Sequence, residues 1–127
     1  YVPSKVPKPS LVVENYLKTL AKEEFTNTAN LYCDKLGVSY SKIKLRDPRS
    51  RWGSCSFNGN LMFSWRLIMA PKNIIRYLVA HEVAHLEHFN HSIDFWTAVF
   101  FLFGPYENER KWLRTEGTKL HFYKFKG

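Results

Sequence analysis

The stretch that decides the fold is residues 81–91, which read His-Glu-Val-Ala-His-Leu-Glu-His-Phe-Asn-His. Its first five residues match the pattern H-E-x-x-H. On an α-helix this spacing places His85 about 40° around the axis from His81 and about 6 Å further along it. Both imidazole rings can therefore converge on one metal ion, each nitrogen about 2.0–2.1 Å from it. The pattern predicts a helix that carries a metal site.

Glu82 lies between the two histidines in sequence, so a helix rotates its side chain away from both of them. It can then reach a water molecule at the metal without being a ligand. As a general base it would accept the proton of that water during attack on a carbonyl or phosphoryl centre. A purely structural zinc site has no use for this carboxylate, so the pattern favours a catalytic ion.

A catalytic zinc site needs a third protein ligand and an open position for water. His88 shares the stripe of His81 and His85, but in an unbroken helix it lies about 10.5 Å beyond His81. His91 is the better candidate if the helix ends near Asn90 and the chain turns back under the metal; His88 is then a polar neighbour. Other residues that packing could bring near are Asp94, Glu107, Glu109 and His121.

Helix signals flank the central stretch on both sides. Before it, Ser10 and Gly37 fit the two ends of one long helix, or of two helices broken near residues 26–28. Apolar residues recur there at helical spacing: Val13, Leu17, Leu20, Ala21, Phe25, Ala29, Tyr32 and Leu36. Pro71 fits the first position of the helix that carries the histidines, and Asn90 can end it in a left-handed turn. After it, Ser92 caps a third helix that runs to Gly104, and Pro105 and Gly117 bracket a fourth.

Residues 38–70 have the character of strands. Residues 38–45 alternate apolar and polar side chains, as a strand with one solvated face does. The pair Asn58-Gly59 tolerates the positive φ angles of a type I′ turn and so predicts a hairpin. We therefore expect a small antiparallel sheet of about three strands between residues 42 and 68, and a further short strand within residues 118–127.

The composition limits the class of protein. The 127 residues fit one domain, which we place at residues 10–127 after a Pro-rich connector over residues 1–9. Without an initiator Met, the chain is expected to be the C-terminal portion of a longer protein. Its longest apolar run, residues 95–103, stays below the roughly 18–20 residues of a membrane span, so no membrane partner is expected. Cys33 and Cys55 are too few for a disulfide framework and favour reduced thiols in the cytoplasm.

The net charge is +8, from 19 Lys and Arg against 11 Asp and Glu. A positive field of this size favours acidic partners such as a nucleotide or nucleic acid. Five of the cations lie within ten residues: Lys42, Lys44, Arg46, Arg49 and Arg51. They could hold phosphate groups, or they could simply form the solvated face of a strand.

Several segments together resemble a known family, the YgjP-like metal-dependent hydrolases, which are related to the SprT-like and WLM zinc metallopeptidases. They are residues 51–56 (Arg-Trp-Gly-Ser-Cys-Ser), 65–71 (Trp-Arg-Leu-Ile-Met-Ala-Pro), 81–85, 90–92 (Asn-His-Ser) and 95–96 (Phe-Trp). The resemblance covers about residues 11–116. It implies an α+β, zincin-like fold in which a small sheet packs on the active-site helix, with further helices around it. It also implies one Zn²⁺ on His81, His85 and His91, with Glu82 as general base.

Three functions remain open at this point. The first is a zinc metallopeptidase that acts on a peptide or protein. The second is a nucleoside triphosphate (UTP) pyrophosphatase that uses the same metal site, since both descriptions are given to the resembling family. Pyrophosphatases more often use Mg²⁺ held by carboxylates. The third is a non-catalytic nucleic-acid-binding module, against which the intact Glu82 argues.

Three further expectations concern the substrate and how it is held. Full-length members of the resembling family carry an N-terminal β-rich region, which we expect this chain to lack. The exposed edge of the predicted hairpin could accept an extended peptide as an added strand beside the metal. A charged or polar group should stabilise the developing oxyanion, and the candidates are Arg51, Tyr106 and Arg114.

Overall fold

The structure is a computed structural model that describes residues 9–48 and 51–117. Its elements are α1 (Pro9–Leu36), β1 (Lys42–Arg46), β2 (Gly53–Cys55), β3 (Asn60–Ser64), a short 3₁₀ helix (Trp65–Met69), α2 (Lys72–Ala84), α3 (Ile93–Phe103) and α4 (Glu107–Thr115). The predicted α+β class is confirmed. Residues 1–8 of the predicted connector, and the strand predicted within residues 118–127, lie outside the described residues.

The sheet is mixed, with the strand order β1-β3-β2. The hairpin strands β2 and β3 pair antiparallel, with Cys55 opposite Leu61. However, β1 runs parallel to β3, with Ile43 opposite Leu61. The prediction of a wholly antiparallel sheet is therefore wrong for β1, because the chain crosses to the far edge before it forms the hairpin. The sheet also ends at Ser64, short of residue 68, since the chain then winds into the 3₁₀ helix.

The hairpin forms where the Asn-Gly pair predicts it, but through a different turn. Gly59 has a φ of +83°, whereas no described residue other than glycine has a positive φ. The amide of Gly59 donates to the carbonyl of Ser56 at 3.0 Å, and the amide of Ser56 donates to the carbonyl of Asn60 at 2.9 Å. This is a three-residue loop that ends in a left-handed glycine. Asn58 does not take the positive φ that a type I′ turn requires.

The long helix α1 is unbroken and packs one face on the sheet. It begins at Pro9, so Ser10 lies inside the helix rather than at its cap. Gly37 ends it as predicted, with a φ of +79°, and the amides of Gly37 and Val38 both donate to the carbonyl of Cys33. The buried residues of its apolar stripe are Ala21, Phe25, Ala29 and Tyr32. The Phe25 ring stacks on Phe63 of β3 at a centroid distance of 4.6 Å.

The helix α2 lies at the centre of the fold, with apolar contacts on two sides. One cluster joins it to α1 and the sheet through buried residues that include Ile75, Val79 and Val83. A second cluster joins Tyr77 and Ala84 of α2 to Phe95, Ala98 and Val99 of α3. Because α2 packs against apolar residues on two sides, the side chains of its last turn are held in fixed positions.

The ends of α2 and α3 determine where the histidines lie. Pro71 is the N-cap of α2, and the helix ends at Ala84, with His85 as its C-cap. The predicted end near Asn90 is wrong. After Ala84 the chain forms a tight turn, in which the Leu86 amide donates to the Val83 carbonyl and the Glu87 amide donates to the Ala84 carbonyl. The predicted start of α3 is confirmed, since the hydroxyl of Ser92 accepts the Phe95 amide at 3.3 Å.

None of the described helices is long and apolar enough to cross a membrane.

Candidate metal centre

Three histidines converge at the end of α2. His81 lies in the last turn of the helix, His85 at its C-cap, and His91 immediately before the N-cap of α3. Their ring centroids are 4.9 to 5.3 Å apart. One ring nitrogen of each lies within 4.8 Å of the other two. Tetrahedral zinc would need separations of about 3.4 Å, which small side-chain rotations can reach.

The turn after α2 explains how His91 reaches the other two. Because the helix ends at Ala84, the chain can reverse over residues 85–91 before α3 begins. α3 then packs against α2 through Phe95, which is fully buried. The Phe95 ring lies 4.4 to 5.0 Å from all three imidazole rings. The Phe95 ring covers one side of the cluster with an apolar surface and excludes water from that side.

The cluster favours neutral imidazoles. The pKa of His81 is lowered from its usual value to about 3, mainly by burial, then by His85, His91 and Arg110. Its Nδ1 atom is buried and has no hydrogen-bond partner among the described residues. A buried polar atom left in this state is costly. A metal ion binds imidazole in its neutral form, so these residues fit such an ion.

His85 is oriented by the chain that follows it. Its Nδ1 lies 3.0 Å from the backbone oxygen of His88. With the proton on Nδ1, this group donates to that oxygen and leaves Nε2 as an acceptor for a metal. Burial is the first cause of the lowered pKa of His85. The side chain of His88 is not part of the cluster; its Nε2 lies 3.6 Å from Oε1 of Glu87.

Glu82 lies beside the cluster, against the backbone of β2. Its side chain is buried, and Oε2 lies 3.5 Å from Nδ1 of His81. Burial raises the pKa of Glu82 to about 8, and the positive charge of Arg51 opposes this rise. A β-carbon at residue 53 would lie 3.2 Å from Oε2 of Glu82 and 3.0 Å from the Met62 carbonyl oxygen. Gly53 therefore leaves the space that the carboxylate occupies.

A cleft of about 330 Å³ opens over these groups. Its lining residues are Gly53, Ser54, Cys55, His81, Glu82, His85, Phe89 and His91. Among the described residues, β2 pairs only with β3, so its other edge is open. The pKa of Cys55 is raised to about 11, chiefly by burial and then by Glu82 and Cys33. Burial therefore disfavours the thiolate, which is the nucleophilic form of cysteine.

The remaining sequence candidates lie elsewhere. Asp94 and Glu107 are exposed, and the carboxylate of Glu109 accepts a hydrogen bond from the Asn73 amide at 2.8 Å. None of the three joins the histidine cluster. His121 lies outside the described residues. Among the candidates for oxyanion stabilisation, Tyr106 stacks on Trp96, Arg51 is exposed and its charge reaches Glu82, and Arg114 is exposed on α4.

Two residues near the cluster were not among the sequence candidates. Phe95 lies in one of the segments that resemble the family, but its own signal is that of a core residue, and its place under the imidazoles depends on how α3 packs. Arg110 looks like an outward-facing residue of an amphipathic helix. The structure places its guanidinium group 4.6 Å from the ring centroid of Trp96, which in turn contacts the His81 and His91 rings.

The chain is similar to known proteins in sequence and in fold. The family model described as "YgjP-like, metallopeptidase domain" matches residues 4–116. The crystal structure of the metallopeptidase zymogen abylysin of Pyrococcus abyssi is similar, with a TM-score of 0.64 and 22% identity over 76% of this chain and 94% of that chain.

The crystal structure of the metallopeptidase zymogen jannalysin of Methanocaldococcus jannaschii is also similar, with a TM-score of 0.59 and 19% identity over 75% of this chain and 94% of that chain. These two likenesses are of fold. No curated protein matches the chain.

Proposed function

The chain belongs to the YgjP-like metallopeptidase family, a family of metal-dependent hydrolases, and on this premise we propose that it is a zinc-dependent peptidase. In this proposal His81, His85 and His91 hold one Zn²⁺ ion and Glu82 is the general base. The substrate is a peptide or protein.

The convergence of three imidazole nitrogens within 4.8 Å is the observation that carries the proposal. A set of neutral nitrogen donors suits zinc, whereas Mg²⁺ prefers carboxylate and water oxygens. Three protein ligands leave a fourth position open for a reacting group. The donor set therefore favours a catalytic zinc ion.

When bound, a zinc ion would supply a Lewis acid that lowers the pKa of water toward about 7 and polarises the carbonyl group under attack. Glu82 takes the proton of the attacking water on its carboxylate. Burial raises the pKa of this group above its usual value, which makes the carboxylate a stronger proton acceptor, and the proton taken from the water then passes to the leaving amine. Phe95 excludes bulk water from beneath the reacting groups.

The edge of β2 that is unpaired within the described residues supports a peptide as substrate. An extended peptide can pair with a free strand edge through its backbone, without a requirement for particular side chains. Residues Gly53, Ser54 and Cys55 of this strand line the same cleft as Glu82 and the histidines. A peptide paired along β2 would therefore pass next to the metal centre.

The alternative functions have weaker support. The charge of +8, and the charge of Arg51 near Glu82, would suit a UTP pyrophosphatase. Yet no carboxylate joins the metal-ligating cluster within the described residues. The exposed side chains of Lys42, Lys44 and Arg46 on β1 would suit a nucleic-acid-binding module. A cytoplasmic location is part of the proposal, and the free thiols of Cys33 and Cys55 support it.

The deciding experiment compares hydrolysis of unfolded casein with hydrolysis of UTP by the zinc-loaded protein. We expect casein to be cleaved, and Glu82→Gln to lower the rate by about 100-fold or more with zinc still bound. Glu87→Gln is the matched control, because Glu87 is an exposed carboxylate on the turn after α2. Hydrolysis of UTP alone would support the pyrophosphatase, and casein cleavage unchanged in Glu82→Gln would disprove the role of Glu82.

A further inference from the structure

A second hollow, of about 420 Å³, lies between α3 and the start of α4. We call it the Trp96 groove. Its lining residues are Ile93, Trp96, Thr97, Phe100, Tyr106 and Arg110. Apart from Thr97 and Arg110 the lining is apolar or aromatic, so the groove combines an apolar surface with one positive charge.

The groove adjoins the metal centre through one shared side chain. The Trp96 indole lies 5.9 Å from the His91 ring and 5.8 Å from the His81 ring, between centroids. On the side of α4 it stacks on Tyr106 at 4.9 Å. A ligand in the groove would therefore touch the same indole that contacts two of the three histidines.

Two large apolar side chains of the groove are exposed. Ile93 is 85% exposed and Phe100 is 56% exposed. An apolar surface next to a reactive centre indicates a binding site, because its burial by a ligand is favourable. Because the Trp96 groove lies beside the histidine cluster, we expect it to hold an apolar side chain of the substrate.

Arg110 supplies the charge. Its guanidinium group lies over the Trp96 ring and has no carboxylate partner within residues 9–48 and 51–117. Its charge also acts on His81 and Tyr77, which places it close to the metal centre. A guanidinium group with no carboxylate partner among the described residues can bind the carboxylate of a ligand through two parallel hydrogen bonds.

We propose that the Trp96 groove binds the C-terminal residue of a peptide, with an apolar side chain against Ile93 and Phe100 and the α-carboxylate on Arg110. The inference rests on the proposed peptidase function and names its substrate class, peptides that end in an apolar residue. Water would cleave the bond before this residue, leaving a new carboxylate on the shortened peptide and a free apolar amino acid.

The position of the charge favours a terminal carboxylate over an acidic side chain. In a C-terminal residue the α-carboxylate and the side chain branch from the same carbon atom. In an extended peptide, by contrast, neighbouring side chains point to opposite sides. An acidic residue after the apolar one would therefore direct its carboxylate away from a groove that holds both Arg110 and the apolar surface.

The test is a binding measurement that needs no turnover: isothermal titration of zinc-loaded Glu82→Gln protein. The probes are N-acetyl-Ala-Phe as free acid, the same peptide as its amide, and N-acetyl-Ala-Phe-Asp-amide. We expect the free acid to bind at least about tenfold more tightly than either amide. Equal binding of the free acid and its amide would overturn the inference, as would equally tight binding of the Asp-containing peptide.

Two pairs of further substitutions locate the site. Arg110→Ala should abolish the preference for the free acid, whereas Lys111→Ala, which removes the neighbouring cation outside the groove, should preserve it. Phe100→Ala should weaken binding severalfold, whereas Phe101→Ala, which removes a similarly exposed ring outside the groove, should not. A preference that survives Arg110→Ala would overturn the assignment of Arg110.

Failure of this inference differs from failure of the proposed function. If the free acid binds selectively but the wild-type protein hydrolyses no peptide, the groove assignment stands and the peptidase proposal fails. If casein is cleaved with no preference for free C-terminal residues, the peptidase proposal stands and the groove assignment fails.

Discussion

Glu82 lies so close to the backbone of Gly53 that a β-carbon there would be 3.2 Å from its Oε2 atom and 3.3 Å from its Cγ atom. The same β-carbon would be 3.0 Å from the Met62 carbonyl oxygen, which the sheet holds in place. The carboxylate is the more mobile of the two neighbours. A side chain at residue 53 would therefore displace Glu82.

From this contact we predict that Gly53→Ala lowers kcat by about tenfold to 100-fold, because a displacement of less than 1 Å misaligns a general base. Zinc content should not change, since none of the three atoms nearest to a β-carbon at residue 53 belongs to a histidine. Ser54→Ala, in the next position of β2, is the control and should retain activity. Peptidase assays alongside metal analysis check this, and full activity in Gly53→Ala would contradict it.

The cap of α3 should matter for metal binding. The Ser92 hydroxyl accepts the Phe95 amide at 3.3 Å, and Ser92 directly follows His91. Ser92→Ala should cost about 0.5–2 kcal/mol of stability and weaken zinc binding, because the loop that holds His91 loses its anchor. Ser92→Asp, which also caps helices, should restore both. Thermal unfolding and a zinc titration measure the two effects. If Ser92→Ala binds zinc as tightly as the wild type, the cap does not have this role.

The packing of Phe95 against the histidine cluster gives a third prediction. Phe95 is fully buried and lies within 5.0 Å of each imidazole centroid. Phe95→Ala should destabilise the protein by about 3–5 kcal/mol, and Phe95→Leu by much less. Urea unfolding of the metal-free protein measures this. Equal stability of the Ala and Leu variants would show that the ring does not pack as described.

Both thiols should react slowly at neutral pH. The pKa of Cys33 and of Cys55 is raised to about 11, in each case first by burial. At pH 8 the thiolate fraction is then about 0.1%, so alkylation by iodoacetamide should be about 100-fold slower than for glutathione. The rate should rise about tenfold per pH unit up to pH 10. Mass spectrometry of each single cysteine variant follows the reaction, and a rate equal to that of glutathione would refute the shift.

Much of the site could be predicted from local spacing. The four-residue separation of His81 and His85 determines their relative position on any helix. Ser92 carries a helix-start signal that depends on its own side chain, and it places His91 directly before α3. Signals of this kind are local, so a single sequence contains them.

Other features depend on packing between distant segments. No glycine or proline marks the end of α2 at Ala84, so its tight turn could not be read from residues 85–90. Alternation of apolar and polar residues predicts strands but not which strands are neighbours, so it does not reveal the parallel pairing of β1 with β3. Arg110 approaches Trp96 only because α3 and α4 both pack against α2, and its sequence pattern indicates solvent exposure.

The most direct test of the metal centre is the zinc content of purified protein, measured by plasma mass spectrometry, for the wild type, His91→Ala and His88→Ala. We predict one zinc ion per chain in the wild type, loss of zinc in His91→Ala and retention in His88→Ala, since of these two residues it is His91 that shares the cluster with His81 and His85. Retention of zinc in His91→Ala together with loss in His88→Ala would contradict it.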